Sequence, residues 1–367
     1  MNIFVFGSSI VSSYWNGAAT YYRGLYKYLA RRGHQIMFAE PDAYDRQQHR
    51  DSGDYSYVQS VVYKPHTEID RMLSLAADAD AIIKHSGLGV DDAVLEERVL
   101  HLAPHCVVVF WDVDAPATLG RLRASARDPF RQQIPQYDAI LTYGGGPLSR
   151  EGYLNLGARK YHSIYNGLDP ETHYPVAPDP DFICDVLFLG NRLPDREQRV
   201  DELFFAAAML APEKHFILGG EGWRDKAIPS NVRWIGHLPT DDHNRLNSSA
   251  GMVMNINRSS MASFGFSPPT RVFEVAGAGA CMLCDNWPGV EDCFRIGEEI
   301  LVVRSAQDVI AALADYNSVE RKRIGGAFLA RALRDHTYAQ RAESAERIFE
   351  ECLEARSATS SVAGSAA

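Results

Sequence analysis

Residues 263–285 read SFGFSPPTRVFEVAGAGACMLCD. A polar, glycine- and proline-marked turn leads into helical spacing from about residue 268 and then into an apolar run, one loop–helix–strand step of a layered α/β sheet. Ser267 can cap the helix, and Pro268 and Pro269 suit its first turn. The unpaired N–H groups and positive dipole end there would welcome a phosphate, with Arg271 adding a fixed charge. Glu274 lies four residues after Thr270 and three after Arg271, so the three can share a face with Glu274 one turn deeper, placed to accept two ribose hydroxyls. An ordinary capped helix with an Arg–Glu pair explains the same spacing. Gly277 and Gly279 would let the helix pack closely on the next strand. Cys281 and Cys284, three apart on a strand, point to opposite faces, which favours buried thiols over half a zinc site.

The same alternation extends in both directions. DVLFLG (185–190), HFILGG (215–220), VRWIG (232–236), MVMNIN (252–257), CMLCD (281–285) and ILVV (300–303) read as strands, with a helix near 196–211 and a capping box opening at Ser305. Toward the amino terminus, NIFVFG (2–7), QIMFAE (35–40), AIIKH (81–85), VVVFW (107–111) and AILTY (139–143) repeat the pattern around a helix near 18–32. Near-continuous apolar strands separated by helices predict parallel sheets covered on both faces. The proline-rich span NGLDPETHYPVAPDPDF (166–182) is the strongest linker signal. The expected division is 1–168, a linker at 169–182, 183–337, a helix at about 338–356 that returns to the first domain, and a flexible low-complexity tail at 357–367.

A length of 367 residues suits two such domains. Lys and Arg total 37 against 47 Asp and Glu, and the formal charge of -10 argues against broad nucleic-acid binding. No stretch approaches the roughly 20 apolar residues that span a bilayer, and the start lacks the charged region of a signal peptide, so a cytoplasmic location is expected. The six cysteines are scattered and form no disulfide framework. Gly7-Ser-Ser-Ile-Val-Ser lacks two of the three glycines of a dinucleotide fingerprint, and no Gly-Lys-Ser/Thr occurs, which weakens NAD and P-loop readings.

In order along the chain, DVLFLGNRLPDR, VRWIGHLPTDDHNRLNSSAGMVMNINR, PPTRVFEVAGAGACMLCD, GEEILVVRSAQDV and DHTYAQR resemble the carboxy-terminal domain of GT-B glycosyltransferases, specifically the CgeB-like group related to families 1 and 4. The resemblance covers most of 185–341. WNGAATYYRGLYKYLARRGH resembles the first helix of GT-B acceptor domains, and YHSIYNGLDPETHYP the crossover between domains. The resemblance implies an α/β fold of two facing Rossmann-like, doubly wound domains with an interdomain cleft, the acceptor on the first and the nucleotide-sugar on the second. It implies transfer of a sugar from a nucleotide-diphosphate sugar, a co-substrate rather than a cofactor, to an unidentified acceptor (glycan, lipid, protein or small molecule). Carried over by position, Gly190, Asn191 and Arg196 approach the diphosphate and Gly236, His237 and Leu238 border the base. Ser267, Thr270, Arg271 and Glu274 complete the donor set. The family 4 pattern has two glutamates separated by seven residues; Glu274 matches the second, and Phe266 stands at the first. A nucleotide-sugar epimerase of the same architecture and a non-catalytic nucleotide-sugar-binding protein are the rival readings.

On the first domain, His85 ends one apolar run and Asp112 and Asp114 end another, so these are the catalytic candidates, to orient the acceptor hydroxyl or take its proton. The competing readings are a core histidine and a helix-capping aspartate. Asp112-Val-Asp114 also mimics a metal-binding Asp-x-Asp of the GT-A fold, but the surroundings read as GT-B, so no metal is expected. Gly7, Ser8, Asn16 and Gly17 are the acceptor-side candidates. Arg123, Arg127 and Arg131, and likewise Arg23, Lys27 and Arg31, recur every four residues as basic helix faces, solvated or in contact with an anionic acceptor or a membrane surface.

Overall fold

The computed structural model describes residues 1–14, 16–102 and 106–365, with side chains through 358. It divides into two compact units, residues 1–166 with the last helix from Tyr338, and Gly167–Thr337.

The first unit is a seven-stranded parallel sheet of order β3-β2-β1-β4-β5-β6-β7. Its strands are β1 (Asn2–Phe6), β2 (Gln35–Pro41), β3 (Gln59–Tyr63), β4 (Ala81–His85), β5 (Val107–Asp112), β6 (Ala139–Thr142) and β7 (Tyr161–Ser163). β3 and β7 were not anticipated. Both are short edge strands whose side chains are mostly only half-buried, so neither carries the apolar run that marks the centre of the sheet. On one face, Val5, Ile83, Val109 and Leu141 pack with Tyr22, Leu25 and Leu29 of the helix Ala19–Arg31 and with Ala342, Ala345, Ile348 and Phe349 of the helix Tyr338–Ser365. That last helix runs through residues 357–365, where a flexible tail was expected; 366–367 lie outside the described residues.

The second unit is a six-stranded parallel sheet of order β10-β9-β8-β11-β12-β13. Its strands are β8 (Cys184–Leu189), β9 (Phe216–Gly219), β10 (Val232–Gly236), β11 (Ala250–Asn255), β12 (Met282–Asp285) and β13 (Leu301–Val303). Alternation around β12 sends Cys281 and Leu283 into the core on one face and Met282 and Cys284 into the core on the other. All six cysteines are buried free thiols.

The span at 169–182 is no free spacer, because it belongs to the second unit and is laced to the helix His243–Ser249. The Tyr174, Val176 and Asp179 N–H groups donate to Asn244 Oδ1, Ser248 Oγ and Ser249 Oγ at 3.3, 3.2 and 2.7 Å. The capping box at Ser305 is present, with Ser305 Oγ accepting from the Asp308 N–H at 3.2 Å and the Asp308 carboxylate accepting from the Ser305 N–H at 3.1 Å. Among the described residues, no helix is long and apolar enough to cross a membrane.

Candidate functional site

In a parallel sheet, functional groups gather in the loops beyond the carboxyl ends of the strands. In the second unit those loops are tied to one another by backbone and side-chain bonds. The Gly190 N–H donates to Gly219 O at 3.0 Å, the Gly220 N–H to Gly236 O at 2.7 Å, and the Arg192 N–H to Glu221 O at 2.8 Å. Trp223 Nε1–H donates to Gly190 O and Trp234 Nε1–H to Gly220 O, each at 2.9 Å. Gly220, at φ +109°, has no room for a side chain: a Cβ would sit 2.4 Å from Gly190 O. Asn191 Oδ1 accepts the Glu221 N–H, and the Glu221 carboxylate accepts the His237 N–H, both at 2.9 Å. Asn191, Gly236, His237 and Leu238 thus sit in one connected loop cluster, held by a glutamate that the sequence reading passed over.

Arg196, from the helix Pro194–Val200, lies against Gly190, whose added Cβ would be 3.2 Å from its Cζ. Its guanidinium donates to Asn191 O and stands over the Phe188 ring at 5.8 Å. Among the described residues it has no carboxylate ion-pair partner, and Nε is buried without a bond. Burial, with the like charges of Arg271 and Arg258 nearby, pulls its pKa down to about 10. Arg258 is paired with Asp195 at 3.3 Å, and Asp195 also receives the Ser260 hydroxyl at 2.5 Å. Arg199 binds the fully buried Asp285 at 2.6 Å, and burial raises the Asp285 carboxyl despite that contact.

The helix after Phe266 runs Thr270–Gly277 and is preceded by Pro269 rather than by a capping side chain, so Ser267 is not its cap. Ser267 Oγ is buried without a partner. Phe266 adopts φ +49°, unusual for an aromatic residue, and its ring covers Gly289. Gly277 packs closely on Leu168 and His173, not on the next strand. Arg271 Nη1 lies 2.8 Å from Glu274 Oε2, and His243 Nδ1 lies 3.7 Å from the same oxygen. Burial pushes the Glu274 carboxyl upward, but Arg271, His243 and His173 outweigh it and hold the group far below the carboxylate range. Neither contact is an aligned hydrogen bond: Glu274 Oε2, Arg271 Nη1, His243 Nδ1 and His173 Nδ1 all lack one, as do both amide atoms of the fully buried Asn247. Native interiors seldom leave so many polar atoms unsatisfied. His173 came from the supposed linker and His243 and Asn247 from an unremarkable polar helix, so periodicity carried no signal for them. Asp195 and Arg258 were equally silent.

In the first unit the catalytic candidates hold structure. His85 is 0% exposed, with Nε2 2.6 Å from Tyr26 Oη and Nδ1 3.2 Å from Trp111 O, and burial pulls its pKa down to about 3. A ring enclosed and bonded at both nitrogens is a core histidine and offers no face to an acceptor hydroxyl. Asp112 is also 0% exposed; its carboxylate accepts from Ser86 Oγ at 2.6 Å, Thr118 Oγ1 at 3.0 Å, the Asp114 N–H at 2.9 Å and Tyr153 Oη at 2.5 Å. Asp114 is the N-cap of the helix Ala115–Ala124, accepting from the Ala117 N–H at 3.3 Å. These aspartates organise a loop. In the first βα loop, Ser8 Oγ donates to Asn16 Oδ1 at 2.8 Å, a Cβ on Gly7 would strike Phe38, and Gly17 is exposed with open space around it. Arg123, Arg127 and Arg131 do not form one helix face, because the helix ends at Ala124 and Arg131 lies in the next one, Phe130–Gln133. Arg23 is bound to Asp51 at 2.5 Å rather than solvated.

Two parallel Rossmann-like sheets with a last helix returning to the first define a known architecture. The fold is GT-B. A family model described as Glycosyl transferase-like matches residues 196–347, a span that includes Arg196, Arg271 and Glu274. GT-B structures superpose over nearly the whole chain. Sucrose-phosphate synthase from Thermosynechococcus elongatus gives a TM-score of 0.69 at 13% identity, covering 97% of this chain and 100% of that one. HepE of Anabaena, in complex with UDP and glucose, gives 0.67 at 12% identity over 96% and 100%. An alpha-glucosyltransferase in complex with UDP and a 13-mer DNA gives 0.68 at 14% identity over 95% and 99%. No curated protein matches the chain by sequence.

Proposed function

We propose that the chain is a metal-independent glycosyltransferase that takes a sugar from a nucleotide diphosphate and delivers it to an acceptor. The observation that carries this reading is Arg196, a half-buried guanidinium whose Nε is enclosed without a bond and which, among the described residues, has no carboxylate ion-pair partner, crowded by Arg258 and Arg271 and depressed to about 10. An anion between these arginines would relieve their repulsion, and a diphosphate leaving group that gains charge as the sugar departs would be stabilised most in the transition state. Gly190 and Asn191 border the diphosphate. Thr270 starts the adjacent helix, and Ser267 Oγ has hydrogen-bonding capacity to spare. Glu274, kept ionised by Arg271 and the two histidines, accepts from the ribose hydroxyls, while Gly236, His237 and Leu238 border the base. UDP is the nucleotide to try first, since HepE and the alpha-glucosyltransferase bind it on the same fold. The CgeB-like group is the proposed subfamily. On the acceptor side, Ser8, Asn16 and the open Gly17 of the first βα loop are the proposed contacts, and the basic surface of that unit the proposed membrane contact of a cytoplasmic, peripheral enzyme.

The test is calorimetric titration of UDP-glucose and UDP beside transfer and hydrolysis assays. Arg196→Ala and Glu274→Ala should each weaken donor binding by about 1.5 to 3 kcal/mol, the worth of a charged hydrogen bond, while melting as folded proteins. Unchanged affinity in both folded variants sinks the donor site. Turnover should persist in EDTA; loss restored by magnesium or manganese would overturn metal independence.

A further inference from the structure

A cavity of about 310 Å³ opens in the first unit between the helices Ala115–Ala124 and Gly146–Asn155. Leu119, Leu122, Leu148 and Leu156 give it an apolar lining, and Arg123 and Arg131 are the two cations in its wall. The two helices follow β5 and β6, whereas the loop proposed for the acceptor follows β1, and β4 lies between β1 and β5 in the sheet. The cavity is therefore apart from the loop proposed for the acceptor.

The charge around it is unusual for a chain of net charge -10. Arg123, Arg127 and Arg150 are exposed, and among the described residues none of them is paired with a carboxylate. The Arg131 guanidinium donates to Leu122 O at 2.6 Å and, among the described residues, has no carboxylate partner. Nearby Arg121, by contrast, is paired with both Glu96 and Asp128 at 3.4 and 3.3 Å. Glu151 is the one acid in the lining. Beside these unpaired cations Leu148 is 47% exposed.

We propose that this cavity seats a phospholipid of an anionic bilayer, Arg123 and Arg131 meeting the phosphate and the leucines the upper acyl chain. A soluble anion would satisfy the arginines and leave the exposed Leu148 and the half-buried Leu156 wet, whereas a lipid matches both, and Arg127 and Arg150, which have no carboxylate partner among the described residues, add long-range attraction to a negative surface. The proposal locates the membrane contact set out above and rests on that reading for its purpose, but lipid binding needs no turnover.

The experiment is flotation of the full chain with phosphatidylcholine vesicles, with and without phosphatidylglycerol, alongside UDP titration of the same proteins. The wild type should float with the anionic vesicles alone. The double variant Arg123→Glu, Arg127→Glu and the single variant Leu148→Asp should each lose about tenfold or more in vesicle affinity. Both change exposed side chains, and both should bind UDP as the wild type does, so failure of the donor reading shows in the titration and not in the flotation. Flotation equal on neutral vesicles, or unchanged in either variant, overturns the proposal. Displacement by inorganic phosphate at constant ionic strength also overturns it, since the cavity is then an anion site.

Discussion

His85 shows how position at a strand end fails to distinguish chemistry from packing. Both nitrogens are bonded inside the core, and its pKa is pulled from 6.5 to about 3 by burial. In the unfolded chain the imidazole takes a proton below its ordinary value, while in the fold it stays neutral until near the lower one. Acid therefore favours the unfolded chain, and the stability tied to this group is full above pH 6.5 and lost as pH falls toward about 3. At pH 4 the loss should be about 3 kcal/mol. Denaturant titrations between pH 7 and pH 4 should show His85→Leu less stable at pH 7, because Tyr26 Oη loses its partner, but with a shallower pH slope. An unchanged slope means another group carries the acid sensitivity. Glu274 is the counterpart in the second unit: its spacing from Arg271 was legible as a helical i, i+3 pair, and the structure has that pair at 2.8 Å. His173 and His243 beside it were not legible, because they come from segments 70 residues apart that only the fold brings together.

At the scale of elements, apolar runs marked every strand of the second sheet: the central ones are buried on both faces and continuously apolar, and the edge strands β10 and β13 still carry Val232, Trp234 and Ile235, and Leu301 to Val303. β3 (QSVVY) and β7 (YHS) escaped because, as short half-buried edge strands, they admit Gln59, Ser60, His162 and Ser163 and so break the apolar run. Loops were read less well than strands, since their conformation is set by neighbours. Gly220 is the sharpest case: φ +109° and the approach to Gly190 O together require glycine. Gly220→Ala should cost roughly 1 to 3 kcal/mol in stability and also weaken UDP binding, because the loops after β8, β9 and β10 are bonded through this point. Thermal melting with calorimetry checks both. A stable variant with normal affinity would show that the loops adjust independently.

For the whole molecule, the notable feature is that the first unit is completed by the end of the chain. Tyr338, Ala342, Ala345, Ile348, Phe349 and Cys352 are all buried, and Gly24 has no Cβ because one would collide with the Tyr338 ring. A chain ending at residue 337 should lose about 1.5 to 3 kcal/mol for each large side chain withdrawn from that core. It should melt markedly lower and bind hydrophobic dyes, and melting within about 2 °C of the full chain would refute the dependence. The sequence by itself determined that there are two parallel α/β units, where most strands run, and that the Arg271–Glu274 helix is the most informative stretch, because these follow from local periodicity and short-range spacing. The tertiary structure alone decided which polar residues are free to act. His85 and Asp112 have their bonding capacity met by partners distant in sequence, whereas Arg196, Ser267 and Glu274 keep theirs open. Satisfaction of a buried polar group depends on neighbours that no local pattern specifies.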